Sequence, residues 1–176
     1  VAVLIPRILV LGDVLETFSP LLTQDPPVAV LCDDTAAPLV MPRAVVVGVD
    51  LRAAGPGREA TRLLRERSAA AARVVRTHPS VRHLVIVIVA GPQHEMRRRR
   101  AASAAATRRH MEFEREVGRD VEVTVLDVTG CEDAGCFAER LTEHTLDATG
   151  VHGVAVLGWS DIRTRSVSEA VHEAYF

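Results

Sequence analysis

The sequence predicts a doubly wound, three-layer α/β domain with a mostly parallel sheet of about six strands and one abbreviated crossover. Three observations predict it. Short β-branched runs alternate with long helical patterns from end to end. Most of those runs are continuously apolar, which suits strands covered on both faces of a parallel sheet. The chain has 176 residues, 48% hydrophobic and 25% charged, enough for a sizeable core in one domain spanning 1–176.

The elements follow in order. Arg7 to Leu11 is the first strand, and Val14 to Leu22 carries a helical pattern behind it. Val28 to Leu31 is a short second strand. The segment from Asp33 to Pro42 then reads as a loop where a helix would ordinarily cross the sheet, so one crossover is abbreviated. Ala44 to Val49 is the third strand and Gly57 to Thr77 a long helix, with Pro79 just past its end. His83 to Ala90 is the longest apolar strand. Pro92 fits the entrance of the next helix, His94 to Val117, and Gly118 closes it. Val121 to Asp127, a helix at Ala134 to Leu146, a strand at His152 to Leu157 and a helix at Val167 to Tyr175 complete the alternation.

Composition excludes much of the chemistry such sheets carry. The chain has no lysine and no asparagine, and its only tyrosine is Tyr175. A P-loop needs a lysine for its phosphates, and a pyridoxal enzyme needs one for its Schiff base. All 21 cations are arginine, and the formal net charge of −2 gives no general attraction to nucleic acid or an anionic membrane. Cys32, Cys131 and Cys136 are too few and odd in number for a disulfide framework, which suggests a reducing compartment. The opening residues are too short for a signal peptide, and no apolar run is long enough to span a membrane. The expected location is cytoplasmic.

The Rossmann-like alternation takes on a family likeness from Glu59 onward. Ala101 to Gly130 resembles the catalytic helix and following strand of the short-chain dehydrogenase/reductases. Arg82 to Gly91 resembles the strand that delivers their catalytic serine, and Cys136 to Gly158 their last helix and strand, ending Ala148-Thr149-Gly150-Val151-His152-Gly153-Val154-Ala155-Val156-Leu157-Gly158. The likeness covers about 100 residues by pattern and spacing and contains no diagnostic motif. Taken whole, the chain resembles the non-catalytic, Rossmann-like N-terminal half of large 3-ketoacyl-carrier-protein reductases.

The departures from that family decide more than the matches. Where it places a tyrosine and a lysine, this chain has small residues near Ala101/Ala102 and Ala105/Ala106. The resemblance assigns proton delivery to that tyrosine and pKa control to that lysine, so losing both removes the route. The serine-bearing strand ends Val87-Ile88-Val89-Ala90-Gly91, without a hydroxyl. Ordinary Ser-Tyr-Lys reductase chemistry is therefore excluded.

The cofactor region is similarly reduced. Strand one leads into Leu11-Gly12-Asp13-Val14-Leu15-Glu16, one glycine and two carboxylates where a pyrophosphate would approach. Asp33, 21 residues after Gly12, stands about where a ribose-binding acid belongs. Gly12 and Asp33 are the candidate NAD(P)-binding residues. The competing reading makes Asp33 and Asp34 a solvated loop start, in a chain with no cofactor.

The implied function is a catalytically silent partner, homodimeric or joined to an active reductase-type protein of fatty acid or polyketide metabolism. In the resembled family the helix matching His94 to Val117 forms the dimer interface. The candidate interface residues are Arg97, Ala101, Ala102, Ala105, Ala106, Arg109 and Phe113, with packing on the chain's own sheet as the alternative. A different reading keeps an enzyme, using Asp13, Glu16, Asp33, His94 or Asp127 at the carboxyl ends of strands. In the run Arg97 to Arg100, at most two side chains can face one ligand, because four successive residues point around a whole helix. Cys131, Cys136, His144 and His152 match no compact zinc module, and nothing local marks Cys131 and His144 as a nucleophile pair. Leu11-Gly12-Asp13-Val14 resembles the Gly-Asp-Ser block of the SGNH hydrolases but lacks the serine. No metal, nucleic acid or membrane partner is expected.

Overall fold

The apolar runs pair into one sheet. In the computed structural model, which describes residues 7–25, 28–32, 41–54, 57–92, 95–118, 120–146 and 153–175, six strands are formed. They are β1 (Ile8–Gly12), β2 (Ala29–Leu31), β3 (Ala44–Asp50), β4 (His83–Val89), β5 (Glu122–Asp127) and β6 (Val154–Gly158). Their order is β2-β1-β3-β4-β5-β6 and every pairing is parallel. Helices α1 (Ser19–Thr23), α2 (Arg58–Thr77), α3 (Glu95–Val117), α4 (Ala134–Leu146), α5 (Trp159–Ile162) and α6 (Val167–Tyr175) complete the chain. This is a three-layer, Rossmann-like α/β fold.

Side-chain alternation assigns each layer its core. Val46, Val85, Val87 and Leu126 point to one face, where they meet Phe18, Leu21, Phe137 and Leu141 from the α1 and α4 side. Val45, Val47, Leu84, Ile86 and Val123 point to the other, against Leu64 and Val75 of α2 and Phe113 of α3. Burial on both faces explains why these strands read as unbroken apolar runs.

On the second face an ion-pair cluster joins the helices. Arg76 of α2 lies 3.6 Å from Glu112 and 2.9 Å from Glu116 of α3, and Arg109 lies 2.8 Å from Glu112. Burial pushes the Arg109 guanidinium below its ordinary value. The guanidinium nonetheless keeps its charge, because arginine titrates so far above neutrality.

The chain runs outward from β1 to β2, returns across β1 to β3, and continues to β6. The direction of winding therefore reverses between β1 and β3, the position where ligands bind on open parallel sheets. Cys32 and residues 41–43, the described parts of the β2–β3 crossover, carry no helix. Asp33 and Asp34 lie outside the described residues, as do His94, Asp147 and His152.

Two local expectations differ from the structure. The helical pattern Val14 to Leu22 becomes a 3-10 turn at Glu16–Phe18 followed by α1. Pro20 sits in the first turn of α1, where its missing N–H is harmless; in the interior of a longer helix it would remove a hydrogen bond. Helix α5, directly after β6, carries no signal in the apolar periodicity because it is a single turn. Among the described residues, no helix is long and apolar enough to cross a membrane.

Candidate functional site

At the reversal point β1 leaves the sheet through Gly12, whose φ of +74° is in the left-handed region that glycine adopts freely. The next amide, Asp13, donates to the Gly48 carbonyl of β3 at 3.0 Å. The contact is too close for side chains. A Cβ on Gly12 would lie 2.5 Å from the Gly48 oxygen, and one on Gly48 would strike the Asp13 carbonyl and the Phe18 ring. Both glycines thus serve the approach of one backbone to another.

The Asp13 carboxylate crosses this junction. Its Oδ2 accepts the Asp50 amide at 2.9 Å, and its Oδ1 accepts Arg67 Nη2 of α2 at 2.6 Å. Asp50, the last residue of β3, is gripped by Arg52 through Nε at 3.0 Å and Nη2 at 2.7 Å. Those side-chain bonds hold the Asp50 carboxyl below the usual carboxylate range. Two carboxylates, each already committed to an arginine, therefore stand at the mouth of the switch point.

Two clefts open further along the carboxyl edge. The first, about 340 Å³, lies between α2 and α3 and is lined by Leu51, Arg52, Leu64, Gly91, Arg97 and Ala101 among others. The second, about 480 Å³, lies over β4, β5 and β6, with Asp127, Thr129, Trp159 and Arg163 in its lining. Arg98 borders both. Its Nε donates to Asp127 Oδ2 at 2.6 Å and its Nη1 to the Gly91 carbonyl at 3.1 Å. Asp127 Oδ1 accepts the Thr129 amide, and Thr129 Oγ1 accepts the Ala90 amide, so the turns after β4 and β5 are tied together. Trp159 Nε1 donates to Glu132 Oε2 at 2.7 Å at the far side of the second cleft.

The arginine run divides as helical geometry requires. Arg98 turns inward to Asp127, Arg99 donates to the Val156 carbonyl at 3.2 Å, and Arg97 and Arg100 are exposed. Of the positions compared with a reductase's tyrosine and lysine, Ala101 borders the first cleft, while Ala102 and Ala106 are buried against the sheet. Arg109 and Phe113 are also buried within the chain, at 5% and 0% exposure. Ala105 is half-buried in a shallow groove against Thr61 and Arg65 of α2. Of the candidate interface residues, Arg97 is exposed and Ala101 and Ala105 are half-buried, with Ala104 and Arg108 exposed beside them.

Of the alternative acid and base residues, Asp13 and Asp127 are brought to the carboxyl edge but lie on different turns. Glu16 is exposed in the 3-10 turn. Cys131 and Cys136 form no constellation with His144: Cys131 Sγ faces the Asp133 carbonyl, and burial pushes its thiol up. His144 instead meets His83 and Glu122 in a buried group at the opposite edge of the sheet, with potential metal-ligand atoms all within 4.8 Å of one another. The sequence signal for that group was an imidazole opening an otherwise apolar strand and a carboxylate opening the strand that follows. Arg67 and Arg98 left no such signal, since neither differs locally from the other arginines on its helix.

No family model, no curated protein and no solved structure matches the chain.

Proposed function

We propose that this chain is a catalytically silent, reductase-like domain that acts as a binding partner, either for a second copy or for an active reductase-type protein of fatty acid or polyketide metabolism. The observation that carries this reading is the Asp13 junction. A dinucleotide's pyrophosphate needs backbone N–H groups and open space at the end of β1. Here the Asp13 carboxylate joins the Asp50 amide to Arg67, and the glycines are used to bring β1 and β3 together. An incoming polyanion would meet the carboxylates of Asp13 and Asp50 there. Alanines at the compared catalytic positions support the same reading.

The decisive experiment combines calorimetric titration with NADH and NADPH, sedimentation of the purified chain, and pull-down with reductase and carrier proteins. Absent binding heat at millimolar nucleotide, together with self-association or capture of a reductase, is the expected result. A strictly monomeric chain that captures neither class would overturn the proposal, as would micromolar binding of either nucleotide.

A second reading is favoured by the open cleft over β4 to β6. It makes the domain a binder of a small ligand held by Arg98, Asp127 and Arg163, with Trp159 at its wall. Trp159 is the only tryptophan, so a ligand entering this cleft changes the chain's whole indole fluorescence. A change that survives Arg98→Met and Arg163→Met would sink this alternative.

A further inference from the structure

We infer that His83, Glu122 and His144 form a divalent transition-metal site on the amino edge of the sheet, remote from both clefts. His83 and Glu122 open adjacent strands and are register partners across β4 and β5. Both share the face of Val85 and Leu126, the face on which α4 packs. His144, in the last turns of α4, arrives above them. Three chemistry-bearing side chains from three elements thus converge at 3%, 6% and 3% exposure.

Their separations suit ligands of one ion. His83 Nδ1 lies 3.6 Å from Glu122 Oε2, and His144 Nε2 lies 3.6 Å from Glu122 Oε1. Around zinc, bonds of about 2.0–2.1 Å place tetrahedral ligands roughly 3.3 Å apart. With all the ligand atoms within 4.8 Å, small rotations about the side-chain bonds close the set. The two imidazoles meet edge to face with centroids 5.1 Å apart, so neither stacks over and blocks the other's nitrogens.

The chemistry of the donors agrees. Two neutral imidazoles and one carboxylate are a known zinc set, leaving a fourth position for water. Thr124 Oγ1 donates to Glu122 Oε1 at 3.4 Å, where it orients the carboxylate in the manner of outer-shell partners, and its 3.1 Å contact with His144 Nε2 is one the ion would displace. A divalent ion would add its charge against the desolvation of the buried Glu122 carboxylate. Seated here, it would clamp the C-terminal turns of α4 to the first residues of β4 and β5.

The test uses the full chain, stripped with chelator and checked for folding by circular dichroism. Titration with Co²⁺ should give the visible d–d bands of a four-coordinate nitrogen/oxygen site at about one ion per chain, displaced by Zn²⁺. Glu122→Gln, close in volume, should weaken Zn²⁺ affinity at least about 10-fold, whereas Cys131→Ser with Cys136→Ser should leave it unchanged. If Glu122→Gln does not fold, the wild-type cobalt spectrum and the double serine variant decide. A folded chain that binds neither ion at millimolar concentration overturns the proposal. So does a cobalt spectrum with thiolate charge-transfer bands that the double serine variant abolishes.

Discussion

Arg67 reaches across 54 positions of sequence to set its Nη2 2.6 Å from Oδ1 of Asp13, while the other oxygen of that carboxylate accepts the Asp50 amide. One short side chain therefore fixes the exit of β1, the end of β3 and the flank of α2. The two bonds differ in what they should contribute. Arg67 and Asp13 are partly exposed, at 38% and 27%, so solvent screens the pair, and Arg67→Ala should cost only about 0.5–1 kcal/mol. Asp13→Ala also strips the acceptor from a half-buried amide and should cost more, about 1–2 kcal/mol. Urea unfolding of both variants measures this, and equal losses would show that the Asp50 amide gains nothing from the carboxylate.

Gly48 is the strictest position at the same junction. Gly48→Ala should destabilise by about 2–3 kcal/mol or prevent folding, because the new Cβ meets a carbonyl and a buried ring that cannot move apart. Gly91→Ala is the control, with open space around its Cβ, and should change stability by less than about 0.5 kcal/mol. Comparable midpoints for the two variants would refute the close-approach argument.

The Arg98–Asp127 pair is better shielded, with side chains 9% and 18% exposed. Removing one partner leaves the other charge poorly solvated, so Asp127→Ala should cost about 2–4 kcal/mol. The double variant Arg98→Met/Asp127→Ala should recover part of that loss, since no charge is then stranded. Thermal or urea denaturation of the three proteins tests it. A double variant less stable than Asp127→Ala would contradict the account.

Asp50 supplies a pH dependence with a definite sign. Arg52 holds its folded-state carboxyl below the ordinary value, so the folded chain binds that proton less readily than the unfolded chain. The resulting stability is fully present above the ordinary range, about 3.9, and drains away as pH falls through the depressed value. Unfolding free energy should decline less steeply below about pH 4 in Asp50→Asn than in the parent chain. Superimposable acid limbs would count against the Arg52 grip.

Cys131 behaves in the opposite sense. Burial raises its thiol, so at mildly alkaline pH it carries less thiolate than an unperturbed cysteine. Alkylation followed by peptide mass mapping should label Cys131 more slowly than the same cysteine in urea, with the gap narrowing as pH rises. A rate unaffected by urea would overturn this.

How much of this was legible in the sequence depended on the range of the interaction. Continuous apolar runs announced β3 and β4, and the boundaries of α4 and α6 followed from periodicity, because each element is decided by its own residues. Pro20 contained the information that divides Val14 to Leu22, although the apolar spacing outweighed it. The sites were far less legible. Nothing in the sequence distinguishes Arg67 from Arg65 or Arg62 until α2 is laid beside β1, and His83 acquires its neighbours only when two strands and a helix converge. The small residues of α3 invited an interface reading, yet periodicity could not say which alanines the chain's own sheet would cover.

The all-parallel sheet also bears on how the chain reaches its native state. Its nearest strand partners in sequence, Ile8 and Ala29, still lie on opposite sides of the α1 crossover, and β4 meets β3 only after the whole of α2 has been traversed. No hairpin can nucleate the sheet, so loop-closure entropy must be met before the first ladder forms. Refolding should accordingly fall in the slow, milliseconds-to-seconds class, with helical signal gained before strand signal. During that interval the runs of valine and isoleucine in β3 and β4 are uncovered, so the yield of refolded protein should drop as its concentration rises.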